Sequence, residues 1–172
     1  MVFAGLIIRF AMSNTEFWSK DCRYGLRIPS RQMKRVIKLC IKSGSYETGG
    51  VLAGYYTDEL DCAVITNISE APKDSKSGRT WFNRGVHGMQ NWLNRLWYKD
   101  RYYLGEWHFH PYSIPVPSST DIQQMKSISA SPLYHCPEPV LLIIGGNPSG
   151  QWTARCYTFP GVNSFIELEK SG

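Results

Sequence analysis

The chain of 172 residues has no C-x-x-C pair and no apolar run long enough to cross a bilayer. Its five cysteines, Cys22, Cys40, Cys62, Cys136 and Cys156, are scattered singly, and an odd number argues against a disulfide framework. They read as reduced, mostly buried thiols of a cytoplasmic protein. The segment Val2 to Met12 is apolar, yet no basic stretch precedes it, Arg9 interrupts it, and no small-residue cleavage site follows cleanly. It makes a poor signal peptide, and no membrane partner is expected. Met12, followed by the polar Ser13-Asn14-Thr15-Glu16, is an alternative start. Repeats, low-complexity tracts and interdomain linkers are also lacking, which leaves one domain. Acids are missing between residues 31 and 43, where Arg31, Lys34, Arg35, Lys38 and Lys42 supply much of the formal charge of +5. A solvated basic helix face is the simplest reading of that segment, and a nucleic-acid patch is the less favoured one.

What the chain does have is core-forming material: 42% hydrophobic and 13% aromatic residues suffice for one domain of this length. A short strand is expected over 23–28, closed by Pro29. Met33, Val36, Ile37, Cys40 and Ile41 then recur at helical spacing behind Ser30 as N-cap, with Gly44 where a C-terminal glycine belongs. Residues 46–56, rich in glycine, and 61–68 read as a hairpin. Residues 70–80 form a polar loop of the kind that borders substrate grooves. Val86, Met89, Leu93, Leu96 and Trp97 mark a second helix between 85 and 99. A strand over 102–109 follows, then a third helix carrying Ile122, Met125 and Ile128 that ends before Pro132. Residues 140–144 are continuously apolar, hence a strand buried on both faces, and a turn over 145–150 leads to a last strand over 152–159. This order predicts an α/β fold, a mixed sheet flanked by helices.

The chemistry concentrates in Gly105-Glu106-Trp107-His108-Phe109-His110-Pro111 and in the Ser118-Ser119-Thr120-Asp121 that follows. On a strand, His108 and His110 point to one face. Pro111 cannot continue a ladder, so the chain turns there. Asp121, eleven residues after His110, opens a helix that can return a carboxylate to the pair. Two histidines and one carboxylate with room for a water make the ligand set of a catalytic zinc site, unlike the closed four-ligand sets of structural zinc. Zinc held there would bring the pKa of water from about 15.7 to about 7. A base is also needed, and two acids compete. Glu106 shares strand parity with the histidines but stands next to them, and it also reads as a partner orienting one imidazole or as half of a structural ion pair. Glu47 opens the glycine-rich strand, from which a carboxylate can be presented across the sheet. Parity does not separate the two. Ser118 reads equally as a helix N-cap and as a hydroxyl that donates to the oxyanion of a tetrahedral intermediate.

Taken together, Glu47 in Glu-Thr-Gly-Gly-Val-Leu-Ala-Gly, His108-x-His110-Pro111 and Ser118-x-x-Asp121 resemble the signature of the JAMM (JAB/MPN+) metalloproteases. The resemblance runs from about Tyr24 to about Phe159. It implies that His108, His110 and Asp121 hold zinc, that Glu47 is the general acid/base and that Ser118 steadies the oxyanion, with Glu106 as a supporting residue. It also implies a cytidine-deaminase-like JAB/MPN catalytic domain over 23–160, between an N-terminal extension (1–22) and a C-terminal tail (161–172). The implied reaction is cleavage of isopeptide or peptide bonds after the C-terminal glycine of ubiquitin or a ubiquitin-like protein. One position departs from the pattern: Phe109 stands where Ser or Thr is usual, and by parity it faces away from the metal. The short connections and the Gly-Glu-Trp-His-x-His-Pro form are similar to compact prokaryotic JAB proteins of bacterial ubiquitin-like conjugation operons, including the anti-phage CBASS type. That resemblance implies a ubiquitin-like conjugate, a cGAS-like nucleotide synthase and its conjugating enzyme as partners. A catalytically silent MPN-type binding scaffold is the rival reading, disfavoured by a complete ligand set. A cytidine deaminase is disfavoured because Cys136-Pro137 has no second cysteine to complete P-C-x-x-C.

Overall fold

In the computed structural model, which describes residues 14–171, the chain begins with β1 (Thr15–Trp18), β2 (Gly25–Ile28), α1 (Ser30–Ser43), β3 (Thr48–Tyr56) and β4 (Cys62–Ile68). It continues with β5 (Lys76–Ser77), β6 (Phe82–Asn83), α2 (Met89–Trp97), β7 (Tyr102–Pro111) and α3 (Ser119–Ala130). The last strands are β8 (Val140–Gly146), β9 (Trp152–Thr158) and β10 (Ile166–Lys170). The main sheet has the closed order β1-β10-β9-β8-β7-β3-β4-β2, with β5 and β6 as a separate ladder. It is mixed, as expected: β7 and β8 are parallel, β2 and β4 are parallel, and the other neighbours are antiparallel.

The sheet extends past both ends of the 23–160 span. Within 1–22, β1 pairs with β2 and β10, and within 161–172, β10 pairs with β9 and β1. Each buries a single apolar side chain, Phe17 in β1 and Leu168 in β10, so neither displays the alternation that announces a strand. The apolar segment Val2 to Met12, and with it the alternative start, lies outside the described residues.

Helices cover the sheet on two sides. Met33, Val36 and Cys40 of α1 pack with Leu52, Ile65, Trp107, Phe109, Leu142 and Ile144, while Met125 and Ile128 of α3 pack with Val51, Tyr103, Leu141, Ile143 and Tyr157. Strand β8 therefore buries both faces, which is why 140–144 is apolar without interruption. Two helix starts differ from expectation. Pro29, not Ser30, is the N-cap of α1, its carbonyl accepting from Gln32 and Met33 N–H. Helix α2 begins at Met89 because the Asp74 carboxylate takes the N–H groups of Val86 and His87, and Gly88 is left-handed (φ 75°). Val86 and Trp97, expected on the buried stripe, are 72% and 57% exposed.

Strand β7 sets the position of everything that follows. Leu104, Trp107 and Phe109 belong to the α1-side core, whereas Tyr103 belongs to the α3-side core. Strict period two cannot place Leu104 and Trp107 on one face, so one extra residue intervenes. The register against β3 slips at that place: Leu52 opposes Gly105, and Ala53 opposes Tyr103. The bulge is built on Gly105, at φ 152° and packed so closely on the Val140 backbone that a Cβ would collide with its carbonyl. Past the bulge, Trp107 and Phe109 point into the core at 0% exposure, and Glu106, His108 and His110 point to the α3 side.

Candidate metal centre

His108 and His110 reach the α3 side of the sheet where that helix begins. Asp121 lies on the buried face of α3 with Met125 and Ile128, spaced i, i+4, i+7, so the helix stripe itself carries the carboxylate inward. One ligand atom each from His108, His110 and Asp121 lies within 4.8 Å of the others, and all three residues are buried. Asp121 Oδ1 is 2.9 Å from His108 Nδ1, and its Oδ2 is 3.8 Å from His110 Nε2. Two imidazoles and a carboxylate converging at this distance fit a divalent metal cation.

The electrostatics agree with that fit. Burial works against the charge of Asp121, but His108 and the Ser118 donors outweigh it and bring its pKa down to about 2. Burial likewise opposes a charge on His108, yet Asp121 and Glu106 raise its pKa to about 9. His110 is held below the ordinary histidine value, chiefly by burial and with His108 adding to it against Asp121. Without a metal, a proton on His108 thus supplies the positive charge that this pocket demands. A cation bound there at neutral pH would take the place of that proton, the usual coupling of metal uptake to ligand deprotonation.

Ser118 is the N-cap of α3 in a reciprocal capping box: its Oγ accepts from Asp121 N–H at 3.1 Å, and Asp121 Oδ2 accepts from Ser118 N–H at 2.8 Å. The Ser118 hydroxyl donates its one proton to the same Oδ2 at 2.8 Å. Of its two readings, the cap is what the structure displays. Donation to any other acceptor requires that proton to leave Asp121.

Glu47 precedes β3, whose register places Thr48 opposite Phe109 and Gly49 opposite His108. Glu47 is the residue just before the first of these pairs, and its backbone N–H donates to the Gly78 carbonyl at 2.9 Å. Its pKa rises to about 7, first through burial and then through repulsion from Asp121, with His108 opposing. This carboxylate is therefore within electrostatic reach of the three candidate ligands without being one of them. Gly49 makes the approach of the two strands possible: a Cβ there would meet the Trp107 backbone and come 2.8 Å from His108 Cδ2.

Glu106 is fully buried and paired with Arg84. Its Oε1 accepts from Arg84 Nε at 3.0 Å and from the Tyr103 hydroxyl at 3.4 Å and forms an ion pair with Arg84 Nη2 at 2.8 Å, and its Oε2 accepts from Gln124 Nε2 at 3.2 Å. Burial opposes its charge, but His108 and Arg84 together hold its pKa below the ordinary carboxylate value. His108 Nε2 stands 3.6 Å from Oε2, too far for a hydrogen bond, and is buried without a partner. Arg84 was not singled out in the sequence. The 70–80 segment reads as generic polar loop, and only the fold brings the residue that follows it behind the histidines.

With this geometry in hand, the comparisons with known proteins are decisive. The family described as prokaryotic homologs of the JAB domain matches residues 29–157. The chain belongs to that family. As a JAB protein it is similar to a CD-NTase/cGAS isopeptidase of Enterobacter hormaechei subsp. hoffmannii (strain UCI 50), 38% identical over 162 residues, covering 94% of this chain and 90% of that one. It is also similar to the probable metalloprotease y4qB of Sinorhizobium fredii (strain NBRC 101917 / NGR234), 28% identical over 149 residues, with 80% and 90% covered. These relatives place this JAB domain among the JAMM-type peptidases, of isopeptidase kind. The solution structure of protein DSY2949 from Desulfitobacterium hafniense superposes with a TM-score of 0.61 at 16% identity, covering 83% of this chain and 88% of the other, a likeness of fold. No helix among the described residues is long and apolar enough to cross a membrane.

Proposed function

We propose that the chain is a zinc-dependent isopeptidase that cuts after the C-terminal glycine of a ubiquitin-like protein, releasing it from a conjugate or a precursor. The observation that carries this reading is the convergence of His108, His110 and Asp121 within 4.8 Å, with the Glu47 carboxylate in electrostatic contact and its pKa near 7. His108, His110 and Asp121 would hold the ion, which when bound supplies Lewis acidity toward water and toward the scissile carbonyl. Glu47 accepts the proton of the attacking water and passes it to the leaving amine, a task suited to a carboxylate whose pKa lies near the working pH. The Ser118 hydroxyl, released from Asp121 when that carboxylate is engaged, donates to the developing oxyanion.

The relatives named for CD-NTase/cGAS support a conjugated cGAS-like nucleotide synthase, or its conjugating enzyme, as the target in anti-phage defence. Cys40, Cys62, Cys136 and Cys156 are free and buried, in keeping with a reducing cytoplasm. The test is incubation of the zinc-loaded protein with ubiquitin-like proteins fused through their terminal glycine to a reporter, with mass spectrometry of the products. The expected product ends at that glycine, and cleavage vanishes in chelator. Failure to cut any such fusion while one zinc per chain is bound would favour the silent-scaffold alternative.

A further inference from the structure

The Arg84–Glu106 pair has no part in the chemistry just described, yet it is among the most deeply buried charges in the chain, with side chains 8% and 0% exposed. A buried ion pair is a poor source of stability, because removing two charges from water costs about as much as their attraction returns. Its hydrogen bonds show what it aims at. Arg84 grips Oε1 through two nitrogens, and its third, Nη1, donates to the Gly85 carbonyl at 2.9 Å, so the guanidinium fork is fixed. Oε1 is filled by Arg84 and Tyr103. Oε2 receives only Gln124, and its remaining lone pair faces His108 Nε2 across 3.6 Å. That nitrogen is the one buried side-chain nitrogen or oxygen among the described residues without a partner. An acceptor with spare capacity and a donor with none thus face each other, about half an ångström beyond hydrogen-bond range.

We propose that Arg84 and Glu106 are a positioning pair for the metal centre: Arg84 fixes the Glu106 carboxylate so that it receives the Nε2–H of His108. This leaves Nδ1, which faces Asp121 at 2.9 Å, as the nitrogen offered to a metal. The inference rests on the metal reading above and adds to it the residue that selects the tautomer of one ligand. Carboxylates that hold the far side of a ligand imidazole raise its basicity and lock its orientation. Arg84 comes from the segment between β6 and α2, so the orientation of His108 depends on how that segment packs.

The test titrates the full chain, stripped of metal, with zinc and reads binding by calorimetry, while 15N NMR of the histidine rings in the zinc-loaded chain, where His108 has given up its extra proton, reports which ring nitrogen keeps its hydrogen. Glu106→Gln keeps the size and the oxygen that Arg84 grips, but turns an amide N–H toward Nε2. It is expected to bind zinc about 10–100-fold more weakly and to shift His108 toward the Nδ1–H form. Arg84→Met is expected to weaken zinc to a similar degree, and Arg84→Lys, which keeps the charge without the fork, to recover part of the loss. Wild-type zinc affinity and an unchanged His108 ring signal in folded Glu106→Gln would overturn the proposal. So would a Glu106→Gln that melts early yet binds zinc normally, since that marks a purely structural pair. If the wild type itself takes up no zinc on His108, the metal reading fails, and this result is distinct from either of those.

Discussion

Asp121→Ala is expected to lose zinc binding, turnover and part of the chain's stability in one step. The carboxylate supplies one of three candidate ligand atoms, and two imidazoles alone make a weak site for a divalent cation. The same side chain closes the capping box at the start of α3 and faces His108 at 2.9 Å. Its folded pKa of about 2 lies below the ordinary value of 3.8. The ionised form is therefore the one favoured by folding, and the stabilisation is present above pH 3.8 and lost as pH falls from there toward 2. The size of the depression corresponds to about 2 kcal/mol in the metal-free chain at neutral pH. The variant should show a lowered thermal midpoint at pH 7 and a smaller stability difference between pH 7 and pH 2. Asp121→Asn separates the two roles. Its amide oxygen can still accept from Ser118 N–H, so much of the cap returns, while zinc binding does not.

Glu47→Gln is expected to do the opposite: hold its zinc and lose turnover by about 10²–10⁴-fold, the usual worth of a positioned proton-transfer group. Glu47 lies outside the ligand trio, and its backbone N–H is tied to the Gly78 carbonyl at 2.9 Å, so a side-chain swap of equal size leaves the strand in place. In the wild type, kcat/KM should rise with pH as Glu47 ionises. Burial is the larger cause of its elevated pKa, and repulsion from Asp121 is the next. A cation on Asp121 removes the second, so the acid limb falls below pH 7 and sits lower in the loaded enzyme than Glu47 titrates in the metal-free one. That limb should be absent from the residual activity of Glu47→Gln.

The contrast between these variants shows which parts of the site the sequence could reveal. His108 and His110 are legible because two residues apart on a strand is a statement about facing, and Asp121 because Ser118-x-x-Asp121 is a capping pattern as well as a ligand spacing. The parity argument for Phe109 holds, since Phe109 is wholly buried in the core with Trp107. Glu47 was legible only through resemblance: nothing local says that a strand begun some sixty residues earlier lies beside β7, and the pairing of Gly49 with His108 is a tertiary fact. The bulge at Gly105 left a trace, a lone glycine inside a strand pattern, and without it Tyr103 would join Trp107 in the core instead of bonding Glu106. Arg84 left none. Strands β1 and β10 carry no sequence signal because one buried side chain each makes no period, yet they close the sheet.

The most direct test of the account is a zinc titration of the metal-free protein in which binding and cleavage of a glycine-linked ubiquitin-like fusion are followed on the same samples. The account predicts no cleavage before zinc is added, activity that grows in proportion to bound metal, and saturation of both at one zinc per chain. Cleavage by the metal-free protein, or activity that does not follow the bound zinc, would contradict it.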